Sequence, residues 1–225
     1  MKRIAGIPPL CFAVFIALAL VFILLPQIDL WMSGLFWDPE HRFFRYHTPA
    51  VLLVYHSVEV LSIALVIGLL ILIAIIMKKG RAVWGVTRKE CFYLLVVLAL
   101  GPGLVVNVIS KNISGRARPN YVEPFGGEQQ FTPAFVLSDQ CSRNCSFVSG
   151  HASIGFYFVA LALVLRQHRK KTFVAAIAYG TLVGFGRIAQ GGHYLSDVVF
   201  AFFFVYFTAR ATYYIMFERS AERSP

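Results

Sequence analysis

The feature that most narrows what this chain can fold into is a series of long apolar stretches with little polar sequence between them. They lie at about 10–25, 51–77, 91–109, 151–165, 172–190 and 194–217, each near the roughly 17 to 25 residues that a helix needs to cross a hydrocarbon core. In lipid every backbone N–H and C=O must find its partner within the segment, so such stretches read as helices. The spacing predicts an all-α integral membrane bundle of six transmembrane helices, with residues 1–225 as a single domain. Composition agrees, since 58% of the 225 residues are hydrophobic and only 14% are charged, outside the range of ordinary soluble domains. Lys2 and Arg3 precede the first stretch as they would in a secretory signal. Leu25, Pro26 and Gln27 follow it without a small-residue cleavage site, so it reads as a retained helix.

A formal net charge of +10 would suit nucleic acid if the basic residues were gathered on one soluble face. They are distributed by segment instead. With six alternating helices, Lys2, Arg3, Lys78, Lys79, Arg81, Arg88, Lys89, Arg166, Arg169, Lys170, Lys171, Arg219 and Arg223 all fall on one side, which the positive-inside rule assigns to the cytoplasm. Both termini are expected there, and no nucleic-acid partner is expected. On the other face Arg42 and Arg45 look incidental, whereas Lys111, Arg116, Arg118, Arg143 and Arg187 stand where a lipid-embedded protein has no need of them.

Those charges belong to segments that must emerge together. The third span runs into "SKNISGRARPNY", with Pro119 discouraging helix beyond Arg118. The outer loop re-enters through "CSFVSGHAS", placing Ser149, Gly150 and His151 at a helix start. The fifth span delivers Arg187, Gly191 and Gly192 turn the chain, and His193 opens the last helix one turn before Asp197. Lysine, arginines and two helix N-termini at one site favour a multiply charged tetrahedral anion. His193 and Asp197, four apart, share a helix face, so the carboxylate can fix the imidazole's tautomer and leave its other nitrogen free to attack. His151, from another helix, is placed to protonate a leaving alkoxide. Each histidine taken alone reads as a cap or an interfacial side chain, and Arg187 alone as a side chain reaching for headgroups. Their convergence carries the catalytic reading.

At these residues the sequence resembles the type 2 phosphatidic acid phosphatase superfamily, whose pattern is K-x6-RP, PSGH and SR-x5-H-x3-D. Lys111, Arg118 and Pro119 match the first part. Ser149, Gly150 and His151 match the second, with Val148 in place of proline; Arg187, His193 and Asp197 match the third, with Gly186 in place of serine. The resemblance implies a metal-independent lipid phosphatase with no cofactor. It implies that Lys111, Arg118, Arg187, Ser149 and the Gly150 backbone hold the phosphoryl oxygens, that His193 forms a phosphohistidine, and that His151 is the general acid. Within the superfamily, "GPGLVVN", "CSFVSGHAS" and "QGGHYLSDVVF" are similar to bacterial lipid A 4'-phosphatases, which implies a phosphorylated membrane lipid as partner, the bacterial inner membrane as location and a periplasmic site. Phosphatidylglycerophosphate, phosphatidic acid and undecaprenyl diphosphate are alternative substrates on the same pocket. A lipid-phosphate transporter is the non-enzymatic rival.

Other features leave their readings open. Cys141 and Cys145 are either a disulfide pinning the outer loop or two free thiols, and neither has the partners of a zinc site. His56 and Glu59 either line the headgroup cavity or mark an interfacial helix start. Arg116 either touches a second phosphate or faces water. "SGLFWDPEHRFF" either shapes lipid entry or anchors the chain at the interface. Gly180 and Gly184 predict close helix packing, and "GPG" at Gly101–Gly103 predicts a kink before Lys111.

Overall fold

The computed structural model describes residues 4–45 and 47–219; Lys2, Arg3 and Arg223, which enter the charge argument, and most of the "ERSAERSP" tail lie outside them. The described residues are mostly helical. Pro9 starts α1 (Pro9–Leu24) with the ring at a position where a missing N–H costs nothing. At Leu25 and Pro26 the chain turns by 79° into α2 (Gln27–Gly34). A short antiparallel ribbon, β1 (Trp37–Asp38) with β2 (Arg42–Phe43), pairs Trp37 with Phe43 and leads into α3 (Pro49–Lys79). Gly80 closes α3 in the left-handed conformation, just after Lys78 and Lys79.

A capping box opens α4 (Arg88–Leu98): the Thr87 hydroxyl accepts from the Glu90 N–H, and the Glu90 carboxylate accepts from the Thr87 N–H at 2.8 Å. From Ala99 to Ser110 the helix widens into a π-helical segment around Pro102. Proline removes one donor from the ladder and crowds the preceding turn. Asn107 takes up the Pro102 carbonyl at 2.8 Å. The expected break at "GPG" is thus a local widening, and it ends in α5 (Lys111–Ile113), which delivers Lys111.

The outer loop, residues 114–149, contains only two single-turn 3-10 segments. Then follow α6 (Gly150–Tyr157), α7 (Val159–Val164), α8 (Arg169–Ala189) and α9 (Leu195–Tyr213). The α6 and α8 helices approach through glycine, since a Cβ on Gly155 would stand 2.8 Å from the Gly180 Cα; α8 and α9 do so as well, since a Cβ on Gly184 would collide with Val198. Small residues at such a seam let backbones close in where lipid gives no hydrophobic drive for association. This antiparallel contact sets the N-terminus of α6 beside the C-terminus of α8, where the unusual charges lie.

Four helical stretches are long and apolar enough to cross a membrane: Pro49–Lys79, Arg88–Ile113, Arg166–Ala189 and Leu195–Glu218. The bent α1–α2 pair makes a fifth if taken as one span. The protein is therefore multi-pass. The fourth expected span, Gly150–Val164, falls short; at about 1.5 Å per residue it reaches only about 22 Å of the roughly 30 Å core.

Candidate active site

The site is assembled by hydrogen bonds between segments far apart in sequence. The Asn120 N–H donates to the Gly191 carbonyl at 3.0 Å and its side-chain amide to the Gln190 carbonyl at 3.0 Å. These bonds fasten the chain after Arg118 to the turn after Arg187. The Ser149 N–H donates to the backbone carbonyl of Asp197 at 3.1 Å, fastening the start of α6 to the first turn of α9. The Ser110 hydroxyl donates to the Phe147 carbonyl at 3.0 Å and accepts from the Val148 N–H at 3.1 Å. Proline, the usual residue of the motif at position 148, has no N–H to make that second bond. At Gly186 a Cβ would meet Val54 at 3.8 Å, ordinary contact, so the serine of the motif would fit. Neither departure displaces a side chain of the cluster.

Lys111, Arg118, Ser149, Gly150, His151, Arg187, His193 and Asp197 come together at this one end of the bundle. The Lys111 amine donates to Asn144 Oδ1 at 3.0 Å, and the Arg118 guanidinium donates to the Asn144 carbonyl at 2.9 Å. A Cβ on Gly150 would lie 3.2 Å from the Lys111 amine, so this glycine keeps the cation against the backbone at the helix start. Ser149 caps α6 by accepting from the Ala152 N–H at 3.3 Å. Arg187 bonds to Gln190 and lies 5.0 Å from the Tyr55 ring, against which the His151 ring stacks at 4.4 Å. Tyr55 is thus a site residue that sequence reading passed over in favour of the adjacent His56. His56 and Glu59 are exposed on α3, and no spacing distinguishes Tyr55 from any other interfacial tyrosine.

His193 is 1% exposed, with Nδ1 3.3 Å from Asp197 Oδ2. That places its other nitrogen, Nε2, away from the carboxylate. Burial pushes the imidazole pKa down to about 3, with Arg187 and Arg118 adding to the effect and Asp197 opposing it. The ring is neutral at working pH and carries the lone pair that nucleophilic attack requires.

Asp197 is held on every side. Its carboxylate accepts from the Tyr194 N–H at 2.9 Å, from the Ser146 hydroxyl and from Arg116 Nη1 at 2.7 Å. Arg116 neither touches a second phosphate position nor faces water. It is 1% exposed, pairs through Nη2 with Asp29 at 2.8 Å, and lies 4.1 Å from the Tyr194 ring. Burial opposes its charge, but Asp197 and Asp29 outweigh burial and raise its pKa. Asp29, from α2, also accepts from the Ser196 N–H at 2.8 Å. Nothing in the order of residues points to this arrangement beyond the cost of an aspartate in an apolar stretch. The sulfur atoms of Cys141 and Cys145 are bonded, with Cα atoms 5.6 Å apart. Among the described residues no group of three or more His, Cys, Asp or Glu side chains is arranged to hold a metal ion.

Residues 90–221 match the PAP2 superfamily. The chain belongs to that superfamily. A relative of this PAP2 protein, the lipid A 4'-phosphatase of Francisella tularensis subsp. novicida (strain U112), is 36% identical over 203 residues, covering 88% of this chain and 90% of the relative. The lipid A 4'-phosphatase of Rhizobium leguminosarum is 42% identical over 106 residues, 47% of this chain and 46% of its own length. Phosphatidylglycerophosphatase B of Bacillus subtilis (strain 168) is 28% identical over 123 residues, 51% and 53% of the two chains. No solved structure matches. The class these relatives share, lipid phosphatase, is the class of this PAP2 protein as well.

Proposed function

We propose that this PAP2 protein hydrolyses the 4'-phosphate of lipid A at the periplasmic face of the bacterial inner membrane, through a phosphohistidine. The observation that carries the reading is the His193–Asp197 pair set within the same cluster as Lys111, Arg118 and Arg187. Cations alone would bind a lipid phosphate. A buried, carboxylate-oriented imidazole among them adds a nucleophile.

In the first step His193 Nε2 attacks phosphorus and the P–O bond to the lipid breaks. His151 gives its proton to the departing alkoxide, and Asp197 stabilises the positive charge that develops on the His193 ring. In the second step water attacks phosphorus, the P–N bond breaks, and His151 takes the water's proton. Lys111, Arg118, Arg187, the Ser149 hydroxyl and the Gly150 N–H hold the three non-bridging oxygens throughout. The orientation follows if six helices cross, with α6 and α7 together as a short fourth span and the basic segments around Lys78–Lys89 and Arg166–Lys171 inside.

The lipid A assignment draws on the Francisella relative, which is similar over nearly the whole chain. The test is to incubate purified protein with lipid A, phosphatidic acid and phosphatidylglycerophosphate in matched mixed micelles, following inorganic phosphate and the lipid products by mass spectrometry. Lipid A losing its 4'-phosphate fastest is the expected result. A faster loss from phosphatidylglycerophosphate would move the substrate to that lipid, and lipid binding with no phosphate release would make the protein a carrier. Because the ring nucleophile and the fixed cations supply the chemistry, EDTA is expected to leave the rate unchanged. A loss in EDTA that a divalent ion restores would overturn the mechanism.

A further inference from the structure

Beside the phosphate cluster the outer loop forms an open pocket of about 670 Å³, lined among others by Arg118, Tyr121, Glu128, Gln129, Arg143 and Asn144. It shares Arg118 and Asn144 with the cluster, and Asn144 also carries the Lys111 amine. Anything bonded to a phosphate held by Lys111 and Arg118 can therefore extend into this space. Its size lies within the range of ligand pockets, roughly 300 to 1,000 Å³.

The walls are fixed. The Cys141–Cys145 disulfide ties the ends of the segment that bears Arg143 and Asn144. Gln129 and Tyr121 are locked by the Gln129 N–H donating to the Tyr121 carbonyl at 2.8 Å. Arg42, itself on the wall, donates to the Gly126 carbonyl, and Gly127 packs so closely on the Tyr121 backbone that no Cβ would fit. The Arg143 guanidinium, by contrast, makes no hydrogen bond among the described residues, and Tyr121 is 61% exposed.

The chemistry of the lining selects its occupant. Arg42, Arg118 and Arg143 outnumber the one carboxylate, Glu128, so the cavity favours a ligand with negative charge. Carboxamides and Glu128 offer the acceptors that hydroxyl and amide N–H groups need. The Tyr121 ring offers an apolar face with a polar tip for a sugar ring. A glycerol phosphate ends at its phosphorus and would leave the space to water.

We propose that this cavity is the subsite for a polyhydroxylated, anionic amino-sugar headgroup, with Arg143 and Tyr121 as specificity-determining groups; the inference rests on the phosphatase reading above. The test uses full-length protein and variants Arg143→Gln and Tyr121→Ala, both at exposed positions where folding is least at risk. Phosphate release is measured from an acylated, phosphorylated glucosamine disaccharide and from phosphatidic acid in matched micelles. The ratio of the two kcat/KM values is expected to fall roughly ten- to hundredfold in Arg143→Gln, as loss of a charge-assisted hydrogen bond implies. A proportional fall on both lipids, or no change in the ratio, overturns the subsite. An equal loss on a polyprenyl diphosphate overturns sugar recognition in favour of a second phosphate. Wild-type protein that releases phosphate from none of these lipids overturns the phosphatase reading itself, a result distinct from the other two.

Discussion

His193→Gln is expected to abolish phosphate release while the protein still accumulates in the membrane and elutes as the wild type does in detergent. Glutamine keeps an amide N–H for Asp197 and nearly fills the space of the ring, so the buried carboxylate retains a donor. What it cannot supply is a nucleophilic nitrogen. Loss of a covalent nucleophile lowers kcat by a factor on the order of 10⁴ to 10⁶, and single-turnover assays with labelled phosphate should detect no phosphoenzyme. Retained turnover would remove His193 from the mechanism. The sign of the pH dependence follows from its surroundings. With the folded pKa at about 3, below the ordinary value for histidine near 6.5, the imidazole stays deprotonated as pH falls from 8 to 5. His193 is then expected to contribute no acid limb to kcat/KM in that window, because the profile reports ionisations of the free enzyme. An acid limb near pH 6.5 that is carried by His193 would show that a dry, cationic surround does not govern this ring.

The second large effect is expected at a residue with no place in the chemistry. Arg116→Met should strongly destabilise the protein, by about 3–5 kcal/mol, the range measured when one partner of a buried ion pair is removed. Asp29 and Asp197 are both 0% exposed and would be left as two carboxylates without their shared cation. Asp29→Asn should cost much less, since Arg116 would still neutralise Asp197 across 2.7 Å. Thermal unfolding in detergent checks the order, wild type above Asp29→Asn above Arg116→Met. Equal stability in the three proteins would mean that the network is dispensable. Activity of the surviving Asp29→Asn protein separates packing from positioning: if Asp29 positions Asp197 through Arg116 and Ser196, kcat falls while KM is retained.

How much of this could be read in advance divides along a physical line. The helix boundaries could: the apolar stretch 91–109 is found as Arg88–Ile113, and 51–77 as Pro49–Lys79, because hydrocarbon demands apolar side chains and internal backbone pairing residue by residue. The pairing of His193 with Asp197 could be read too, though not as a shared helix face: His193 lies in the turn before α9 begins at Leu195, and the carboxylate in the first turn of the helix reaches back to it. The close approach at Gly180 and Gly184 was legible for a similar reason, because a missing side chain is visible as a letter. The bend at Leu25–Pro26 was harder. Proline marks a place where a helix stops, but not the direction the chain then takes.

What the amino-acid order determined by itself is local: which segments enter lipid, where helices begin, and which groups lie one turn apart. Only the tertiary structure decided that Asp29 of α2 meets Arg116 and Ser196, that Tyr55 packs against both Arg187 and His151, and that a disulfide-closed loop hands Asn144 to Lys111 and Arg118. Such partners are fixed by how helices pack through glycine and where their ends converge, which depends on the whole set of contacts at once. A charge in an apolar stretch declares that it needs a counter-charge; which one it receives is settled only when the helices close.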